Sequence, residues 1–377
     1  MPSQPILIID GHLDMAFNAL HHRRDLTQDI LTLREREDPK PPGPSHPDSL
    51  RERKRPESAS RGTVTVSLPQ MREGRVGIML STIMSRVQTP TPQLDDGMRN
   101  QLASHAIGQS HLHYYKALER EGQITFIRNS ADLDASVAAW QNPADNTPIG
   151  LILSMESADP ILGPDQVQWW WDQGLRSVGL THFGANTWGK GTGTRGGLFA
   201  VAYPLLDALA ATDIALDLTH ASDIVFWQLL DYWQGPVHAS HCNCRALVPG
   251  QRHLSDEMIK AITDRGGVIG MVFAEAMLNP QLNFDNPDTW PQNARRPMSA
   301  VVDHIDHICQ LTGNCNHVAI GSDLDGGFGR EMAPIDYNTI ADLQRFLDIL
   351  ADRGYSANDI EAIAHGNLLN FFRQAWS

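Results

Sequence analysis

Asp10-Gly11-His12-Leu13-Asp14 closes the apolar run Pro5-Ile6-Leu7-Ile8-Ile9. In a strand, residues two apart face the same side, so His12 and Asp14 present a nitrogen and an oxygen to one point in space. Zinc takes imidazole and carboxylate ligands, and such a pair fixes two of them while leaving room for others from elsewhere in the chain. Taken alone, a His-x-Asp pair is better explained as a surface histidine beside a helix-capping aspartate. The chain supplies further candidates: Glu156 in Met155-Glu156-Ser157, His182 in Thr181-His182-Phe183, His220 in Thr219-His220-Ala221, His241 in Ser240-His241-Cys242, and Asp323 in Ser322-Asp323-Leu324-Asp325-Gly326.

These residues share one position in the chain's rhythm. Short β-branched runs predict strands at Ile6–Asp10, Val76–Thr82, Ile149–Met155, Ser177–Thr181, Ile214–Thr219, Pro236–Ser240, Gly267–Phe273 and Val318–Ser322, with Ile124–Ile127 as a candidate ninth. Amphipathic segments between them, at Met98–Glu121, Pro164–Gln173, Ala200–Ala211, Asp256–Arg265 and Ala300–Leu311, have the length of covering helices. Alternating strand and helix implies a parallel sheet, and eight repeats imply closure into a single-domain (β/α)8 barrel over residues 1–377. An open doubly wound sheet is the alternative, without a Gly-x-Gly-x-x-Gly after the first strand to support it. In barrel enzymes the site is assembled where strands finish. Independent placement of His, Glu and Asp at six strand ends is hard to explain except as a shared site. The set exceeds what one tetrahedral metal needs, so two metals bridged by a carboxylate are implied.

Composition bounds what else the chain does. Its 377 residues carry 30 Lys+Arg against 44 Asp+Glu, a formal charge of -14 that disfavours nucleic acid as a partner. No apolar stretch reaches the length needed to span a bilayer. The N-terminal Met1-Pro2-Ser3-Gln4 lacks the basic region of a signal peptide. Four cysteines, Cys242, Cys244, Cys309 and Cys315, match no disulfide framework or zinc-finger spacing and read as reduced thiols, so a cytoplasmic location is expected. Residues 34–61 are rich in proline and in charges of both signs and are expected to form a flexible insertion, either a lid over the strand ends or a solvated loop.

In order along almost the whole chain, a set of motifs carries a resemblance. It comprises Asp10-Gly11-His12-Leu13-Asp14; Gly179-Leu180-Thr181-His182 with Asn186-Thr187-Trp188; Asp217-Leu218-Thr219-His220-Ala221-Ser222; Ser240-His241 with Arg245-Ala246-Leu247; and Asp303-His304-Ile305 leading to His317-Val318-Ala319-Ile320-Gly321-Ser322-Asp323-Leu324-Asp325-Gly326. The set resembles the membrane (renal) dipeptidase family of zinc peptidases. The resemblance implies an amidohydrolase-type barrel with two zinc ions per chain: His12 and Asp14 on one, His220 and His241 on the other, and Glu156 bridging. His182 would match the substrate-polarising histidine, Arg252 the arginine that binds the dipeptide carboxylate, and Asp323 the catalytic aspartate. Arg245 lies close to Arg252 and competes for that assignment. Ser157-Ala158 after the glutamate, Cys242 where a serine is usual, Gly197-Leu198-Phe199 and the insertion depart from the family pattern and bear on substrate preference.

The residue types fit such chemistry. Two zinc ions sharing a water lower its pKa toward neutrality. Asp323 can accept a proton and return it to the leaving amine. His182 can stabilise an oxyanion, and a guanidinium can hold a free carboxylate bidentately. The expected activity is therefore zinc-dependent hydrolysis of dipeptides. A related amidohydrolase acting on a cyclic amide or β-lactam-like ring, and a silent metal-binding barrel, are the alternatives. His304 and His307, on one helix face, read as capping or packing. Trp169-Trp170-Trp171 reads as helix packing or a subunit contact, and a homodimer is compatible with it.

Overall fold

A computed structural model describes residues 5–37, 62–87, 97–282 and 295–377. Nine strands are present among them: β1 (Ile8–Leu13), β2 (Val76–Met84), β3 (Ile124–Phe126), β4 (Ile149–Glu156), β5 (Leu175–Gly179), β6 (Ala215–Asp217), β7 (Val237–His238), β8 (Ile269–Met271) and β9 (Val318–Ile320). All pairings between them are parallel, in the order β7-β6-β5-β4-β2-β1-β9-β8, and the candidate ninth strand, β3, pairs only with β4 outside that path. A bridge between Ala239 and Ile269 joins β7 to β8. The sheet thus closes into an eight-stranded barrel, and the open doubly wound alternative is excluded.

Strands covered on both faces need continuous apolar runs. Every residue of β1 and β4 is buried, and so is all of β2 but its last residue. The barrel interior is crowded enough to demand glycine. A Cβ at Gly270 or Gly321 would lie 1.9 Å from the Ser240 carbonyl oxygen, so β8 and β9 approach that turn only without side chains. At the start of the strands, inward-facing Ile9, Ile78, Ile152, Ala215 and Val268 form one cluster with Phe371 and Phe372 of the helix Asn367–Ala375. That helix plugs the floor and leaves the opposite mouth for polar groups.

The helices fall where periodicity places them, at Gln101–Arg120, Val167–Asp172, Ala202–Ala210, Asp256–Thr263 and Ser299–Thr312. Residues 34–37, expected to begin the insertion, instead close the helix Ile30–Glu37, where the Arg34 guanidinium donates to the Val64 carbonyl at 2.9 and 3.0 Å. The remainder of that segment, 38–61, lies outside the described residues. Packing accounts for much of the bland chemistry. His304 Nδ1 accepts from the Cys244 amide, His307 pairs with Asp256, Trp170 is fully buried, and Arg176 lies 3.5 Å over the Trp171 ring. No helix among the described residues is long and apolar enough to cross a membrane.

Candidate metal centre

The strands differ in where they end relative to the site residues: β1, β2 and β4 run past their predicted ends, whereas β6, β7, β8 and β9 stop short of theirs. His12 sits within β1 and Glu156 is the last residue of β4, whereas His182, His220, His241 and Asp323 each follow their strand by three residues. Chain leaving a barrel strand must turn outward, and two of these residues do so in the left-handed region, His220 at φ 63° and Asp323 at φ 58°. Such backbone costs about 1–3 kcal/mol per residue and persists only where its surroundings fix it.

Two buried aspartates supply that fixing. Asp10 accepts from the His12 amide at 3.1 Å, the Ser322 amide at 2.9 Å and the Ser322 hydroxyl at 2.5 Å. Asp217 accepts from the Thr219 and Ser240 amides, both at 3.0 Å, immediately before His220 and His241. Each carboxylate therefore ties the end of its own strand to the end of a neighbouring one. Residue type alone does not mark either as a site residue, although both lie in the Asp10–Asp14 and Asp217–Ser222 motifs.

Four predicted histidines surround Glu156, and Asp14 and Asp323 join the cluster through His12. Glu156 Oε1 lies 3.1 Å from His220 Nε2, 3.4 Å from His241 Nε2 and 3.4 Å from His182 Nε2. Its Oε2 faces the other way, 3.7 Å from His12 Nε2, which in turn lies 3.9 Å from both Asp14 Oδ2 and Asp323 Oδ1. His220 Nε2 and His241 Nε2 are 3.3 Å apart. Ligands at 2.0–2.1 Å from a tetrahedral zinc stand roughly 3.3–3.4 Å from one another, so the His220, His241 and Glu156 triangle has the edge lengths of a zinc face. On the opposite side, His12 Nε2 and Asp14 Oδ1 are buried without a hydrogen-bond partner. Orphaned buried donor atoms are costly unless a cation gathers them. The residues present fit a metal.

Electrostatics tell the same story. Burial, followed by the neighbouring carboxylates of Asp14 and Asp323, raises Glu156 to about 8, against the opposing charge of His12. Burial likewise raises Asp323 to about 7, with His12 and Arg252 opposing. His12, which burial alone would push down, is held up at about 10 by Glu156, Asp14 and Asp323. Burial and the positive charge of Arg252 and His12 push His220 and His241 well below the usual imidazole range, leaving their lone pairs available. Three carboxylates on one buried cluster require compensating positive charge.

The two candidate arginines separate cleanly. Arg245 is engaged by Asp223 in a two-point pair at 2.8 and 3.0 Å. Arg252 is buried and donates through Nη1 to the His241 carbonyl at 3.0 Å and to Cys242 Sγ at 3.3 Å, leaving Nε and Nη2 without partners.

Residues 3–376 match the membrane dipeptidase family, peptidase family M19. The chain belongs to that family. This dipeptidase-family protein is an enzyme of the dipeptide-hydrolysing, metal-dependent class. It is 28% identical over 250 residues, 64% of this chain and 88% of the other, to an uncharacterized Klebsiella pneumoniae protein in the pqqA 5' region. It is 26% identical over 233 residues to an uncharacterized dipeptidase of Schizosaccharomyces pombe, a match spanning 60% of this chain and 53% of the yeast chain. Its barrel superposes with a TM-score of 0.75, at 22% identity over 99% of this chain and all of the other, on a Rhodobacter sphaeroides metallo peptidase crystallised with a phosphinate mimic of the dipeptide L-Ala-D-Ala.

Proposed function

We propose that this protein hydrolyses free dipeptides with two zinc ions per chain. His12 and Asp14 would hold one, His220 and His241 the other, and Glu156 would present one carboxylate oxygen to each. The observation that carries this reading is the triangle of His220 Nε2, His241 Nε2 and Glu156 Oε1, with edges of 3.1, 3.3 and 3.4 Å, backed by Glu156 Oε2 turned toward His12. When bound, the ions supply Lewis acidity that acidifies a water and polarises the scissile carbonyl.

The chain's own groups do the rest. Asp323, with its carboxyl raised to about 7, takes a proton from the attacking water and returns it to the leaving nitrogen; a base titrating near the working pH serves both transfers. His182 Nε2 points into the cluster, where it donates to the carbonyl oxygen as negative charge develops. The unpartnered Nε and Nη2 of Arg252 match a carboxylate's two oxygens. A carboxylate held there restricts substrates to those whose C-terminus lies one residue beyond the scissile bond. The Rhodobacter relative's phosphinate dipeptide mimic supports the same substrate class.

Four cysteines free of disulfides support a cytoplasmic location. Of the tryptophan cluster only Trp169 is exposed, at 39%, and it is the side chain left to serve a homodimer contact. The activity is tested by assaying free dipeptides, N-acylated dipeptides and tripeptides alongside metal analysis of the purified protein. Two zinc per chain with turnover of free dipeptides is expected; turnover confined to N-blocked or non-peptide amides overturns the reading.

A further inference from the structure

The histidines at the barrel mouth differ in what their far nitrogen meets. His241 Nδ1 lies 2.8 Å from Ser240 Oγ, and His220 Nδ1 lies 3.2 Å from Thr192 Oγ1. Both hydroxyls can accept an N–H, the second-sphere contact that fixes a metal-binding imidazole with its other nitrogen free. His182 is wired the opposite way. Its Nδ1 is in hydrogen-bond contact with Nη1 of Arg86, a buried residue just beyond β2. A guanidinium only donates, so His182 Nδ1 carries the lone pair and the ring proton must sit on Nε2.

We propose that Arg86 is a positioning residue that locks His182 in its Nε2–H form, which keeps His182 out of the metal set and makes it an oxyanion donor. His182 Nε2 is as close to Glu156 Oε1, 3.4 Å, as is His241 Nε2, so distance alone does not separate ligand from donor. The partner at Nδ1 does. A neutral imidazole that gives its Nε2 lone pair to a cation needs its proton on Nδ1, and there it would point at the Arg86 guanidinium. With the proton on Nε2, the same ring hydrogen-bonds to the Glu156 carboxylate at rest and to the substrate carbonyl oxygen during turnover. The second role rests on the dipeptidase reading; the proton's position does not.

Nitrogen-15 NMR of the zinc-loaded protein, labelled at histidine and assigned by comparison with His182→Gln, reads the tautomer directly. The expected spectrum has His182 protonated at Nε2 and unprotonated at Nδ1, with His220 and His241 protonated at Nδ1. A proton on His182 Nδ1 overturns the proposal, whatever the activity. Arg86→Met, which keeps the stem and removes the donors, is expected to lower kcat about 100-fold, the size of a lost oxyanion donor, with KM for the dipeptide little changed. Arg86→Lys, which retains a donor, is expected to recover most of the loss. Wild-type kcat in Arg86→Met overturns the proposed role. A protein that turns over no dipeptide yet shows the Nε2 proton refutes the proposed activity and leaves the Arg86–His182 assignment standing.

Discussion

Asp10 and Ser322 join the first and last strands of the barrel, with the Ser322 hydroxyl donating to Asp10 Oδ2 at 2.5 Å and its amide to Oδ1 at 2.9 Å. One of these strands leads to His12 and Asp14, the other to Asp323. Asp10→Asn replaces one acceptor oxygen by a donor that faces a donor, leaving a buried polar group unsatisfied at a cost of about 1–3 kcal/mol. A lowered Tm is expected together with reduced zinc retention on dialysis. Unchanged zinc content and kcat would show that the latch does not hold the site.

Arg252 and Arg245 are told apart by their partners. On the proposed role, removing Arg252 would take away a charge-assisted carboxylate contact of about 1.5–3 kcal/mol, so Arg252→Met is expected to raise KM for a free dipeptide by roughly 10- to 100-fold. Hydrolysis of the corresponding dipeptide amide, which has no carboxylate to lose, is expected to change little. Arg245→Met breaks the pair with Asp223 and should leave KM near wild type. Steady-state kinetics on both substrates decide it, and the reverse pattern would move the carboxylate site to Arg245.

If the cluster holds zinc as proposed, its stabilisation has a pH sign set by the cluster. In the metal-free protein His12 is held at about 10, Glu156 at about 8 and Asp323 at about 7. Above pH 7 the unfolded chain has lost all three protons while the native state retains part of them, so native stability falls as pH rises toward 10. His220 and His241, pushed well below the usual imidazole range, act in the opposite sense only below their unfolded value near 6.5. Zinc needs deprotonated ligands. The Tm gain on adding zinc to chelator-treated protein is therefore expected to widen from pH 7 to 8.5, and a constant or shrinking gain contradicts this charge assignment.

Much of the barrel and most residues of the candidate centre are legible in the sequence because strand periodicity and residue type point the same way. Continuous apolar runs mark strands buried on both faces, and a polar residue at the end of each can only face the mouth. What sequence could not supply was the wiring. Asp10 and Asp217 read as ordinary motif residues until their bonds to Ser322 and Ser240 are seen. Arg86 is 96 residues from His182, and no local spacing links them. Arg252 and Arg245 are equivalent cations in sequence, separated only by burial and by Asp223. Strand ends are less legible: β1, β2 and β4 continue past the ends that residue type predicts, while β6 and β9 stop short of theirs, where His220 and Asp323 turn through left-handed backbone.

On the proposed mechanism, Asp323 is the group whose removal would separate chemistry from metal binding. Asp323→Asn keeps the side chain's size and removes its capacity to take a proton, so kcat is expected to fall by about 10²–10⁴ with zinc retained. Gly326 provides a second route to the same carboxylate. A Cβ at position 326 would lie 1.9 Å from Asp323 Oδ1 and 2.8 Å from its carbonyl oxygen, so Gly326→Ala must displace a side chain already held at a left-handed φ of 58°. It is expected to reproduce much of the Asp323→Asn loss in kcat while leaving His12, Glu156, His220 and His241 untouched and the zinc content at wild type. Kinetics and metal analysis on both variants test the pair: normal turnover in Asp323→Asn removes this residue from proton transfer, and normal turnover in Gly326→Ala alone shows that the carboxylate tolerates displacement.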